Sequence, residues 1–247
     1  MTIAIAITGK SGSGKTTLVK AIMNALNKKY PQKTMLLFDN DLGCELGHSF
    51  GLDIRNTIYG IRAGKHEYKT GIPANMSKPE YIEWALEDIV VGLKENVDIV
   101  VSWLIGSKDC RCPITAQLND SLIKLIKYYD IVIFDCEFDL KYLHQLVEFP
   151  IDATLIVAEP SQESVHLASR IMESSEKYAV GGQMGVVINK VKTEGMKAEI
   201  PAMLNQYGLE ILGTLPFIED LDGVKKESEI LESSITELLF RLNIPVS

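Results

Sequence analysis

The segment Gly9-Lys10-Ser11-Gly12-Ser13-Gly14-Lys15-Thr16-Thr17 sets glycines, lysines and hydroxyls in the order G-x-x-x-x-G-K-[ST]. Glycines at 9, 12 and 14 let the backbone wrap around an anion, and the amides of residues 12 to 17 then point inward. A helix beginning beyond them adds the positive end of its dipole. Gly12, Ser13, Gly14, Lys15, Thr16 and Thr17 are therefore expected to hold nucleotide phosphates, with Lys15 bridging the β- and γ-phosphates and Thr16 on Mg²⁺. The competing reading is a Gly/Ser turn that matches by chance. The apolar runs on both sides, 3–7 before and 18–23 after, give the strand–loop–helix context that the chemistry needs. A second lysine, Lys10, follows the first glycine and decides what kind of nucleotide site this is.

Carboxylates follow two other apolar runs. Asp39 and Asp41 come after Met35-Leu36-Leu37-Phe38, and Asp135 after Ile131-Val132-Ile133-Phe134. Phosphoryl transfer is mostly positioning and charge neutralisation, so acids at this place hold Mg²⁺ or orient the attacking water. Asp41 is expected to orient the water, and Asp39 and Asp135 to serve the metal. Asp39 and Asp41 as simple turn caps are the alternative. Asn189-Lys190-Val191-Lys192 resembles the start of the guanine-reading pattern N-K-x-D, but Lys192 stands where the acid would accept from guanine. Adenine is expected instead, with Asn189 on its N6/N7 edge and Pro216 and Phe217 packing on the ring.

Cys110 and Cys112 lie one residue apart, just before a helix that Pro113 is suited to start. A helix N-terminus favours thiolate, the metal-binding form. Two sulfurs fall short of the four ligands that Zn²⁺ or Ni²⁺ usually takes, and a two-fold dimer opposing this rim to itself would supply the rest. Packing of buried thiols is an equal alternative on spacing alone. Cys44 and Cys136 read as packing residues, and the four histidines show no ligand spacing.

These residues need a scaffold that brings strand ends together. Apolar, β-branched runs at 3–7, 34–38, 98–104, 130–134, 152–158, 185–188 and 210–215 alternate with helical stretches at 15–29, 78–94, 113–128, 161–177, 195–207 and 226–242. Such alternation predicts a mostly parallel, doubly wound sheet of about seven strands with helices on both faces. Ser77 and Glu80 form a capping-box pattern. In such sheets ligands collect at the carboxyl ends of the strands, which is where the loop, the acids and the cysteines all fall. Residues 49–76, with five basic or histidine side chains and scattered glycines, are the least regular part and read as one short helix plus loop.

At 247 residues and 46% hydrophobic, the chain suits one well-filled domain spanning 1–247. A net charge of −8 argues against a nucleic-acid or anionic-membrane surface. The phosphate loop begins at residue 9, leaving no room for a signal peptide, and no apolar run approaches 18 residues. A cytoplasmic location is expected.

Taken together, Lys10, Asp39, Asp41, Asp135 and Asn189 resemble the deviant-Walker dimeric ATPases, the group of the nitrogenase iron protein, the cell-division site-selection ATPase and the chromosome-partitioning ATPases. Within it, Cys110-Arg111-Cys112-Pro113 resembles the nickel-insertion ATPase that matures carbon monoxide dehydrogenase. The resemblance implies a phosphate-loop ATPase that closes as a homodimer on ATP and Mg²⁺. It implies Lys10 reaching the partner's phosphates, and Cys110 and Cys112 of both chains binding one Ni²⁺ or Zn²⁺. The implied partner is a carbon monoxide dehydrogenase-like client metalloenzyme. Ser11 and Ser13 depart from the group's usual glycine and valine without removing an amide. Other readings are a positioning or partitioning switch, an iron–sulfur electron donor, and a biosynthetic enzyme on the same fold. The segment holding Glu227, Glu229, Glu232 and Glu237 against Arg241 lacks the basic face that a membrane-binding switch needs.

Overall fold

Unbroken apolar runs become strands buried on both faces, and here they assemble a single parallel core. The computed structural model describes residues 1–54, 56–63, 72–103, 113–138, 140–179, 182–218 and 225–242. Along the chain lie β1 (Ile3–Gly9), α1 (Lys15–Lys29), β2 (Met35–Asn40), α2 (Glu45–Ser49) and α3 (Ile58–Ala63). Next come α4 (Lys78–Asp88), β3 (Val91–Lys94), β4 (Val97–Val101), α5 (Pro113–Lys127), β5 (Ile131–Cys136) and α6 (Leu140–Leu146). The remainder is β6 (Ala153–Ala158), α7 (Gln162–Ser175), β7 (Gln183–Val191), α8 (Glu194–Asn205), β8 (Ile211–Pro216) and α9 (Lys225–Arg241).

Strand order is β3-β4-β2-β5-β1-β6-β7-β8, with every neighbouring pair parallel except β3 and β4. The central strands β1, β2, β5 and β6 are buried at every position, as expected where helices cover both faces. Within β1 the side chains alternate between the two cores. Ile3, Ile5 and Ile7 pack with Leu18, Ile22 and Leu26 of α1 and Leu238 of α9. Ala4 and Ala6 face the opposite layer, with Leu86 of α4, Leu122 of α5 and Leu143 of α6. A third cluster joins Ile156 and Ile188 to Ile171 of α7 and Leu204 of α8. Each fully buried Leu or Ile contributes about 1.5–3 kcal/mol by transfer from water.

The sheet has eight strands rather than about seven. The added one corrects the helix expected over 78–94: α4 stops at Asp88, and Val91–Lys94 turns back antiparallel on β4. The capping box at the start of α4 is present, with Ser77 Oγ accepting from the Glu80 amide and Glu80 Oε2 accepting from the Ser77 amide. Its end is set by the β-branched pair Val90-Val91 and by Gly92, poor helix formers all. The expected irregular stretch holds α3, preceded by the short α2.

Strand register fixes the rim. Asp135 at the end of β5 lies opposite Asp39 of β2 on one side and Ile7 of β1 on the other. β1 sits where the order of connections reverses, so its carboxyl end opens into the crevice where doubly wound sheets bind ligands.

Candidate functional site

The loop between β1 and α1 is built on backbone conformations that side chains disfavour. Gly12 and Gly14 take φ of 77° and 96°, in the left-handed region, and Gly14 is the N-cap of α1. A Cβ on Gly14 would lie 2.3 Å from Asn189 Nδ2, and one on Gly9 2.3 Å from Val157 O in β6. The loop closes through the Ser13 amide donating to Lys10 O at 3.1 Å. Lys15 is buried, and its ammonium donates to the same carbonyl at 3.3 Å.

Thr16 Oγ1 donates to Asp135 Oδ2 at 2.8 Å. The other oxygen, Oδ1, is buried with no hydrogen-bond partner among the described residues, a costly arrangement that a cation or bound water would relieve. Burial pushes the Asp135 carboxyl up to about 7. The charges of Asp39 and Asp41 add to the rise, while the Thr16 hydrogen bond and Lys15 oppose it. A hydroxyl and a carboxylate are the hard oxygen donors that Mg²⁺ prefers, with its other positions left to water and phosphate. The residues therefore fit Mg²⁺. Among the described residues no three or more His, Cys, Asp or Glu side chains group to hold a metal by themselves.

Asp39 has both oxygens engaged by backbone. Oδ1 accepts from the Asp41 amide at 3.2 Å and Oδ2 from the Gly47 amide at 2.8 Å. It is fully buried, and desolvation raises its carboxyl to about 6 against those two hydrogen bonds. Its geometry is that of an organiser of the β2–α2 turn, which carries Asp41. Asp41 itself accepts from the Gly43 amide at 2.7 Å. Cys44, in the left-handed region at the start of α2, is buried; burial, then Asp39 and Asp41, push its thiol up to about 11. It is held as a neutral packing thiol. Cys136 is likewise fully buried, opposite Asn40.

Asn189 lies against the back of the loop. Its Nδ2 donates to Ser13 O at 2.8 Å, and its Oδ1 accepts from the Lys190 amide at 2.9 Å. Lys190, at φ 63°, sends its ammonium to Gly12 O at 2.6 Å and Glu159 Oε1 at 2.5 Å. The expectation of Asn189 on a base edge thus meets an amide already engaged with the phosphate loop. Lys190 and Glu159 are loop-holding residues that the sequence reading misses, although the Asn-Lys dipeptide after a strand is an available signal. Lys10 reaches out of the loop to Glu163 in the first turn of α7, at 3.0 Å, and is 43% exposed. Pro216 and Phe217 line a cleft with Gly14, Thr17 and Leu18 beside the loop. Cys110 and Cys112 lie outside the described residues.

A glycine loop opening a helix, a buried lysine within it and a hydroxyl–carboxylate pair at the adjoining strand end define a phosphate-loop nucleotide-binding domain. The chain belongs to the CobQ/CobB/MinD/ParA nucleotide binding domain family, whose match spans residues 3–230. It is similar to an uncharacterized ATP-binding protein of Methanocaldococcus jannaschii, 28% identical over 220 residues that cover 88% of this chain and 85% of that one. A second such ATP-binding protein of the same organism is 29% identical over 224 residues, covering 88% and 86%. The fold is similar to that in the MinC:MinD cell division protein complex of Aquifex aeolicus, with TM-score 0.67, 22% identity and coverage of 99% and 98%. It is also similar to a single-substitution variant of Cyanothece McdA in complex with ATP, with TM-score 0.68, 19% identity and coverage of 100% and 98%.

Among the described residues no helix is long and apolar enough to cross a membrane.

Proposed function

We propose that this chain is a Mg²⁺-dependent ATPase that works as a homodimeric switch, closing on ATP and reopening after hydrolysis. The observation that carries the reading is the Thr16–Asp135 pair with its orphaned, buried Asp135 Oδ1 beside Lys15. Bound there through Thr16 and Asp135, Mg²⁺ would neutralise charge on the phosphates. Lys15 lies folded onto Lys10 O, poised to exchange that carbonyl for phosphate oxygens. Asp41 orients the attacking water from the turn that Asp39 holds in shape. Lys10, on an exposed edge of the loop, serves the phosphates of a second copy, which makes hydrolysis depend on dimer formation.

The cargo of the cycle is read from the sequence alone. Cys110 and Cys112 of two chains would capture Ni²⁺ or Zn²⁺ for a client metalloenzyme, and the excess of acidic over basic residues disfavours the partitioning alternative on DNA.

Phosphate release measured with ATP and Mg²⁺ tests the core of the proposal. Parent protein should turn over slowly and in proportion to its dimeric fraction, while Lys15→Ala and Asp135→Asn should not. Parent-level turnover by both variants would sink the assignment.

A further inference from the structure

The sheet ends on two unlike edges. At one end β3 is four residues long and mostly exposed, shifts register between Gly92 and Lys94, and carries the charge of Lys94. These are the devices that blunt an open edge. At the other end β8 runs six residues without a charge, and among the described residues no strand pairs with its outer side. Backbone N–H and C=O groups on that side are therefore left without a ladder. We propose that this edge is a docking site for an extended, acidic segment of another protein, which adds to β8 as a further strand.

The edge is the floor of a groove of about 400 Å³. One wall is α8, through Lys197 and Ile200, and the other is α9, through Ser234, Leu238 and Arg241. The helices lie on opposite faces of the sheet: Leu212 packs with Leu238 in one core, while Ile211 packs with Ile200 in another. Walls on both sides keep a second broad sheet from reaching β8 and leave room for a single extended chain, since paired strands lie about 4.8 Å apart. Gly213 suits that use. Its φ is not in the left-handed region, and a Cβ there would meet Leu238 Cδ1 at an ordinary 3.5 Å, so neither backbone nor packing demands glycine. A strand glycine free of both demands fits the close approach of another backbone.

Charge selects the occupant. The chain carries −8 overall, yet each wall presents a cation, Lys197 with 54% and Arg241 with 48% of its side chain exposed. Each is held by an acid of its own helix, Lys197 by Glu194 at 3.9 Å and Arg241 by Glu237 at 2.7 Å. Exposed pairs one helical turn apart are worth little, so both cations are available to carboxylates on an incoming strand. Backbone pairing supplies the affinity and the two cations set the preference for an acidic segment.

Capped, fluorescent peptides of about eight residues, an ordinary strand length, test this on the full chain without nucleotide, which keeps the outcome separate from the ATPase reading. They alternate valine with threonine and carry either a glutamate or a lysine at each end. The glutamate peptide should bind with a Kd below about 1 mM, and the lysine peptide about fivefold or more weaker. N-methylation along one edge of the glutamate peptide removes ladder donors and should cost about tenfold or more. Lys197→Glu/Arg241→Glu should invert the preference between the two peptides. Ser234→Phe, which fills the groove from its α9 wall, should abolish binding while its thermal melt stays like the parent's. Hydrogen exchange locates the peptide: amides in 211–214 should slow on binding, and those in Val91–Lys94 should not. No saturable binding of the glutamate peptide, equal binding of all the peptides, or slowed exchange elsewhere than 211–214 would overturn the proposal. So would nucleotide-free self-association of the parent that Ser234→Phe abolishes, which would give the edge to a second copy of this chain.

Discussion

Replacing Asp135 with asparagine should stabilise the nucleotide-free, metal-free protein at alkaline pH while abolishing its response to Mg²⁺-ATP. The Asp135 carboxyl is fully buried and raised from 3.8 to about 7, chiefly by desolvation. Below about pH 4 it is protonated in both folded and unfolded chains, and burial costs little. Between about 4 and 7 the unfolded chain ionises first while the folded one keeps its proton, so stability falls as pH rises through this window and the loss is complete above it. A rise of about three units at about 1.4 kcal/mol each gives about 4 kcal/mol. Asparagine removes that cost, and its carbonyl can still accept from Thr16, but its own burial returns about 1–3 kcal/mol. The net gain at pH 8 is about 1–3 kcal/mol, and at about 2–4 °C per kcal/mol for a chain of this size the melting temperature should rise by roughly 3–10 °C. Circular dichroism melts from pH 4.5 to 8, in EDTA and without nucleotide, measure this directly. Asp39, raised to about 6, adds a similar but narrower loss that both proteins share. An asparagine variant that melts at or below the parent at pH 8, with the same slope against pH, would show that the buried charge is not what the geometry implies.

Three further outcomes follow from the loop and its surroundings. Gly14→Ala forces a side chain into φ 96° and within 2.3 Å of Asn189 Nδ2; strain of about 1–3 kcal/mol in the phosphate cradle should weaken ATP by tenfold or more in titration calorimetry, and unchanged affinity would contradict the cradle. Lys190→Met removes the donor to Gly12 O, so ATP affinity should drop by about tenfold or more, the worth of one charge-assisted hydrogen bond, and Glu159→Gln, which keeps the lysine, should lose less. Equilibrium dialysis against Ni²⁺ should show one ion per two chains for the parent and none for the Cys110→Ser/Cys112→Ser variant; equal binding by both would remove the cysteines from the ligand set.

Much of the scaffold was legible because parallel strands buried on both faces must be written as unbroken apolar runs, as 3–7 and 131–134 are. The Val91–Lys94 strand was hidden for the opposite reason. It is short and mostly exposed at the sheet edge, and it follows α4 with only two residues between them, so its pattern merges with the helix. The short helices Glu45–Ser49 and Leu140–Leu146 carry too few turns to show a period. At the site, the Thr16–Asp135 contact could be anticipated because a loop motif and an acid after a strand each point to the same rim. The contacts of Asn189 with Ser13, Lys190 with Gly12 and Lys10 with Glu163 could not. They join residues separated by 176, 178 and 153 positions, and only the packing of β7 and α7 around β1 brings them together. The same separation explains why the sequence does not show that Asn189 also touches the phosphate loop.

The claim that the catalytic site is shared between two chains is tested most directly by mixing two inactive variants. Lys10→Ala keeps a complete phosphate loop but lends no lysine, while Lys15→Ala lends Lys10 but cannot use its own loop. Equal mixing of exchangeable dimers makes half of them mixed, each with one complete site, so ATP hydrolysis should recover to about a quarter of the parent rate. If the mixture stays as inactive as either variant alone while native mass confirms that mixed dimers form, Lys10 does not serve the partner and the shared-site account is wrong.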